Sequence, residues 1–526
     1  MPAMRMTDSP LLLSLALPLF ACAPDGVRPD DATGADDVNV ETDGSDTTTG
    51  MAEMVPARGN IALTAVVVNQ GVDVPIAVNG NWVDGPDRNT AILRNRDTLL
   101  RAFWEYPDDW TPRNITARLV LDYPDGTTRT FDDTKFIDQP SYPGDIERTF
   151  FFGLSADDVV SDIDFHLSLW EGDATGFESL PESSTVIESP IGGPKPIGIQ
   201  PQPMQMKVVV VPVVYNAGSC HTDTSTISAE DEKKFLDYLY EQNPTQEIEW
   251  EFRRDAPLTR NTQLASLTQL HLPLQDLRIQ DGAAPNYYYY ALVDVCGPGI
   301  DDAAGVAAGI PPATMEASPN RVASGVWLPN QKSYAWHTFV HEIGHTQGLS
   351  HIFCEGGGSV GNDPAYPYNN GITNVWGFGI RLYQFYSPTA NYDYMTYCLP
   401  NWVSDWTWTK IFTRIYILSS WDDNLPAPEP EGELLIGLLL NDGSEEWWTV
   451  PGGREAEFFS GAASVRFDYD GETLDIPAAY ELLEDGTRRV TAPVPRLDQD
   501  FSAIAHVEGD EGDHPITLMT RLRAPE

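Results

Sequence analysis

The chain has 526 residues, of which 41% are hydrophobic and 14 are Trp, so it can bury several cores and is not a disordered protein. Its length predicts two to four domains. The 78 acidic against 32 basic residues give a formal charge of −46, which argues against nucleic acid or an anionic membrane surface as a partner.

Residues 1–23 read as a targeting segment. Arg5 precedes an apolar run over residues 11–23 that is too short to span a bilayer. The run contains Leu19-Phe20-Ala21-Cys22, similar to a bacterial lipobox in which Cys22 becomes the lipidated first residue of the mature protein. Ala21-Cys22-Ala23 also fits an ordinary A-x-A cleavage site. Both readings take the protein out of the cytoplasm, as an envelope lipoprotein of the outer membrane or cell surface, or as a secreted protein if not lipidated. The only membrane contact expected is the lipid anchor. Residues 24–58 carry almost nothing large and apolar and read as a disordered acidic tether.

From residue 59 to 190 short alternating strands, such as residues 61–68, 115–121 and 164–170, are separated by turns such as Asp122-Tyr-Pro-Asp-Gly126. This pattern predicts a β-sandwich accessory domain. Residues 191–205, with Pro194, Pro196, Pro201 and Pro203, read as a stiff extended linker, and residues 424–433, with Pro426, Pro428 and Pro430, as a second. The intervening 206–423 alternates strand and helix. A continuous apolar run at 207–215 suits a buried strand. A helix is expected at 228–241, opened by a Ser228/Asp231 capping box. A second strand follows at 247–253, then a helix over 261–279 kinked near Pro273, a third strand at 287–295, and an edge strand at 325–328. Residues 332–348 form a further helix whose apolar stripe is Ala335, Trp336, Phe339, Val340 and Ile343. Residues 434–526 return to the β-rich style and form a C-terminal β-sandwich-like domain. Neither flanking domain shows a catalytic constellation, so both read as accessory, and the chain is expected to act as a monomer.

The helix at 332–348 carries the chemistry, in His341-Glu-Ile-Gly-His-Thr-Gln-Gly-Leu-Ser-His351. His341 and His345, four apart, project from one helical face and can reach the same cation. Glu342 is placed to take a proton from an attacking water. Gly348 permits a helix exit that a Cβ would penalise, so that the chain turns back and presents His351 as third ligand. Three protein ligands leave a fourth position for water, as a catalytic zinc site requires. Without Cys22, four cysteines remain: Cys220, Cys296, Cys354 and Cys398. An even number outside the cytoplasm predicts two disulfides with three possible connectivities. A second zinc site is the weaker reading because no C-x-x-C pair is present.

With its third histidine and its glycine, the segment resembles the metzincin clan of zinc endopeptidases. That resemblance implies a methionine on a tight turn beneath the metal, and Met395 in Asn391-Tyr-Asp-Tyr-Met-Thr-Tyr-Cys398 fits. It also implies that Tyr397, two residues on, reaches the zinc or the transition-state oxyanion. Leu399-Pro-Asn-Trp-Val-Ser-Asp-Trp-Thr-Trp408, Asp363-Pro-Ala-Tyr-Pro-Tyr368 and Val375-Trp-Gly-Phe378 are similar to the StcE-like secreted metallopeptidases and related bacterial surface lipoproteins. The likeness covers residues 207–421. It brings His351 and Met395 together at the metal, and so implies pairing of Cys354 with Cys398 and of Cys220 with Cys296.

The expected function is thus an extracytoplasmic zinc endopeptidase with one catalytic Zn²⁺, acting on a protein or glycoprotein, with Glu342 as general base. The alternative is a surface adhesin or glycan-binding lipoprotein whose metal site is structural or inactive.

Overall fold

The computed structural model describes residues 54–357, 361–424, 432–453, 462–497, 499–510 and 512–523. The targeting segment, Cys22 and the tether up to residue 53 lie outside the described residues, as do residues 425–431 of the second proline-rich stretch. The last tether residues are not free: Ala57 is buried, and its N–H donates to the Leu169 carbonyl.

The N-terminal part consists of two antiparallel sheets. One orders β2 (Asp73–Val78), β1 (Ala62–Asn69), β3 (Thr98–Glu105) and β6 (Phe150–Leu154), with Asn81–Trp82 on the β2 edge. The other runs β7 (Asp164–Glu171), β4 (Arg113–Asp122), β5 (Thr128–Ile137). Strand β7 alternates half-buried and buried residues throughout, the period-2 signature of a sheet with one covered face.

The first proline-rich stretch differs from the expected spacer. Lys195–Pro196 pairs with β7, and Ile199–Gln200 pairs in parallel with Ile92–Leu93. Ile197, Ile199 and Met204 are buried in the same hydrophobic core that holds both N-terminal sheets and one face of the central domain. Proline excludes ladder donation only at its own nitrogen. The apolar residues between the prolines were free to pack, and they did.

The central sheet orders β8 (Gln205–Ala217), β10 (Tyr287–Val293), β12 (Val322–Val326) and β11 (Gly305–Ala307), with β9 (Glu247–Phe252) on the far side of β8. These strands are parallel except β11, which runs antiparallel to β12 and forms one edge, while Cys220–Asp223 folds back antiparallel on the end of β8. The expected edge strand is therefore internal, and the true edge is a Gly-Val-Ala segment too short and too small-sided to signal itself. Helix α1 (Ala229–Gln242) is capped by Ser228, whose Oγ accepts from the Asp231 N–H at 3.0 Å. Helix α2 (His271–Gln280) begins ten residues later than expected, after a 3-10 turn at Leu267–Leu270. Pro273 lies in its first turn, where no N–H is missed, and starts the helix rather than kinking it.

Helix α3 (Lys332–Thr346) buries Ala335, Phe339, Val340 and Ile343, while Trp336 is only partly covered. Phe339 anchors it edge-on against Phe235, Trp250 and Tyr290, at centroid distances of 5.4, 5.9 and 4.8 Å. Helix α4 (Asp405–Ser419) closes this part.

The C-terminal part is one eight-stranded sheet containing β18 (Ser502–Val507), β15 (Ala463–Tyr469), β16 (Glu472–Leu482), β17 (Arg488–Pro493), β13 (Glu433–Leu439) and β14 (Glu445–Pro451) in that order. Disulfides join Cys220 to Cys296 and Cys354 to Cys398. Two disulfides point to an extracytoplasmic protein. Among the described residues no helix is long and apolar enough to cross a membrane.

Candidate metal centre

Helix α3 presents His341 and His345 one turn apart. Their Nε2 atoms lie 3.1 Å from each other, and the Nε2 of His351 lies 3.2 Å from that of His345. Three imidazoles sharing one tetrahedral ion at about 2.0–2.1 Å would place their nitrogens about 3.3–3.4 Å apart. The spacing thus fits a common cation. The tautomers fit as well. His341 Nδ1 is 2.7 Å from the Tyr394 carbonyl oxygen, and His345 Nδ1 is 2.7 Å from that of Leu349. A carbonyl can only accept, so each Nδ1 carries the proton and each Nε2 turns a lone pair inward. Burial holds the His345 pKa down at about 4 against the opposing pull of the Glu484 carboxylate, so the ring is neutral at ordinary pH, as a metal ligand must be.

The return of the chain to His351 depends on Gly348, whose φ is +90°. Asp363 N–H then donates to the His351 carbonyl at 2.7 Å and pins the exit loop. Beneath the imidazoles, Met395 is wholly buried, and a Cβ at Gly344 would stand 2.5 Å from its sulfur. Gly344 is what allows α3 to settle on this turn. The turn is shaped by Asp393, which was not singled out from the sequence. Its buried carboxylate accepts from the N–H of Met395 at 3.0 Å and from the N–H and hydroxyl of Ser404 at 3.1 and 2.5 Å.

Glu342 is buried, with Oε2 lacking a hydrogen-bond partner among the described residues. Burial, then the negative charge of Glu484, push its pKa well above the carboxylate range. An unpartnered buried carboxylate oxygen is costly unless something polar completes it. A water at the centre would do so. Gly305 on β11 makes room for this side chain, since a Cβ there would lie 2.6 Å from Glu342 Cγ and Oε1. Tyr397 brings its hydroxyl to 3.0 Å from His351 Nε2. Cys354–Cys398 ties the chain just after His351 to the chain just after Met395. Cys220–Cys296 lies apart, bracing the ends of β8 and β10.

One member of the cluster comes from outside the central domain. Glu484, in the C-terminal sheet that was read as purely accessory, puts Oε1 2.8 Å from both His345 Nε2 and His351 Nε2. Nothing in Leu483-Glu-Asp-Gly-Thr487 distinguishes it from an ordinary hairpin turn. Only the way the two domains pack brings it here. His341, His345, His351 and Glu484 are the group able to hold a metal ion among the described residues.

Residues 322–402 match the Peptidase M66 family. The match supports a metallopeptidase. No curated protein matches the chain. The M66 segment begins with β12, spans α3, and ends at Trp402, so it contains the three histidines, Glu342, Met395 and Tyr397. Glu484 and the edge strand β11 fall outside it.

Proposed function

We propose that the chain is an extracytoplasmic zinc endopeptidase of metzincin type, similar to the StcE-like enzymes, acting on protein or glycoprotein chains. The observation that carries this is the convergence of three imidazole Nε2 atoms beside a buried, half-unsatisfied carboxylate. His341, His345 and His351 would hold the ion. When bound, zinc supplies Lewis-acid polarisation of a carbonyl and brings the pKa of water to about 7. Glu342 receives the proton of the attacking water at Oε2 and returns it to the leaving amine. The Tyr397 hydroxyl donates toward the oxyanion. The edge strand β11, beside Glu342, suits an extended peptide added as a further strand.

The structural-site alternative draws support from Glu484, since four protein ligands resemble a closed site. The orphan oxygen of Glu342 weighs against it, because a purely structural site has no use for that carboxylate. Casein cleavage and bound zinc should be measured on the chain and on Glu484→Ala, each with and without Glu342→Ala. Cleavage is expected to vanish with Glu342→Ala while about one zinc per chain stays. Absence of any Glu342-dependent cleavage in both backgrounds overturns the peptidase reading.

A further inference from the structure

The three imidazoles do not face an open cleft. Residues 483–487 close the hairpin of β16 and β17, and Glu484 projects from its tip. Its Oε1 lies 2.8 Å from His345 Nε2, 2.8 Å from His351 Nε2 and 3.4 Å from His341 Nε2. These four donor atoms all lie within 4.8 Å of one another. A cation shared by the histidines therefore meets a carboxylate where a hydrolytic site keeps water. The charges agree with this. Two carboxylates, the buried Glu342 and the partly buried Glu484, repel one another but would together balance a divalent ion held by the three imidazoles.

The tip is anchored from several sides. The Leu483 N–H donates to the Thr487 carbonyl at 2.8 Å, and Gly486 turns the chain at a φ of +80°. Leu483 itself is buried in the same core as Val306 of β11. Asp485 is hydrogen-bonded by the Ser266 hydroxyl ahead of α2, and the Thr487 hydroxyl lies 3.2 Å from the same atom. Arg489 donates to the Ala308 carbonyl and, at 2.6 Å, to Asn320 Oδ1. Behind the tip, Trp448 Nε1 donates to Gln275 of α2 at 2.7 Å.

The seated tip also divides the cleft. Cavities of about 280 and 320 Å³ share Glu484 as a wall. The first holds Glu342, His341 and Tyr397, and the second holds His345, His351 and the end of β11. A peptide laid along β11 cannot pass from one to the other without displacing the hairpin.

We propose that Glu484 is the fourth metal ligand of a latent form, and that the β16–β17 hairpin is an internal plug that withdraws before a peptide reaches Glu342. The ligation stands on geometry alone; that it restrains proteolysis rests on the peptidase reading above. The full chain loaded with Co²⁺ provides the test, titrated with acetohydroxamate and followed by visible absorption. In Glu484→Ala the hydroxamate should bind at least about tenfold more tightly than in the parent chain, since the parent exposes the metal only in its minor, withdrawn population. Asp485→Asn, which leaves all four donors in place and weakens the anchor to Ser266, should fall between them. Equal affinity in the parent and in folded Glu484→Ala overturns the proposal, and Glu484→Gln carries the same test if the alanine variant does not fold. Casein cleavage measured alongside should rise at least about tenfold in Glu484→Ala. Gated hydroxamate binding without cleavage by any variant would sink the peptidase reading and leave the ligand assignment standing. Equal binding with equal, Glu342-dependent cleavage would do the reverse.

Discussion

Replacing Gly305 by alanine tests whether the edge strand positions the proposed base. Gly305 is buried on β11, and its φ does not require glycine. The added methyl would stand 2.6 Å from Cγ and Oε1 of Glu342 and 2.6 Å from Cγ2 of Thr338. Ordinary contact begins at 3.4 Å, so Glu342 or β11 must move by about 0.8 Å. Stability should fall only moderately. Alanine in a strand is worth about 0.5–1 kcal/mol over glycine, and relieving the overlap costs about 1–3 kcal/mol. The net loss is about 0–2.5 kcal/mol. Activity is far more exposed, because a misplacement of about 1 Å in a reacting group can cost about 100-fold. Cleavage of a quenched fluorescent peptide in the Glu484→Ala background should show kcat/KM down about 100-fold, with zinc content nearly unchanged and Tm lower by no more than about 10 °C. Activity within twofold of the glycine parent, at full zinc occupancy, would refute the reasoning.

Three further outcomes follow from the packing. Met395→Ala should lower stability by about 2–5 kcal/mol in denaturant titrations, because the sulfur and methyl fill a sealed space against Gly344, whereas Met395→Leu should cost under about 1.5 kcal/mol. His271 is fully buried with its Nε2 3.1 Å from the Val306 carbonyl, and burial depresses its pKa from 6.5 to about 3. The unfolded chain therefore binds the proton first, so stability is lost as pH falls below 6.5, by about 2 kcal/mol at pH 5 from this group. His271→Gln should remove that share of the acid sensitivity in pH-dependent unfolding, and an unchanged slope would count against it. Removing Cys354–Cys398, which closes a span of 44 residues, should cost up to about 4 kcal/mol in scanning calorimetry of the Cys354→Ala/Cys398→Ala chain.

The legible and illegible parts of this fold divide along a physical line. Helix α3 and its ligands could be read from the chain because a helix puts residues four apart on one face whatever surrounds it. Met395 and the cysteines could be placed only through a family likeness, since their meeting depends on a loop closing back on itself. Glu484 and Gly305 were not readable at all. Each matters through a neighbour more than thirty residues away in sequence, and locally each is an unremarked turn or strand residue. The proline-rich stretch at 191–205 misled for a related reason: proline density speaks to local backbone stiffness, while burial of Ile197 and Ile199 is decided by what lies opposite.

The junction between the N-terminal sheets and the central domain carries a last consequence, for how the molecule comes apart. Arg96, fully buried, donates to the carbonyls of Tyr240, Asn243 and Thr245, and its guanidinium sits 4.0 Å from the Tyr240 ring centroid. Trp402 donates to the Gly71 carbonyl at 2.8 Å, and the Trp408 ring packs where a side chain at Gly71 would be. A chain begun at β8 would take the Arg96 donors from the carbonyls at the end of α1 and bare two tryptophans to water. Residues 54–204 thus act less as an appendage than as half of a single cooperative unit, which should melt with the half that holds the metal centre in one transition and resist exchange for a foreign module.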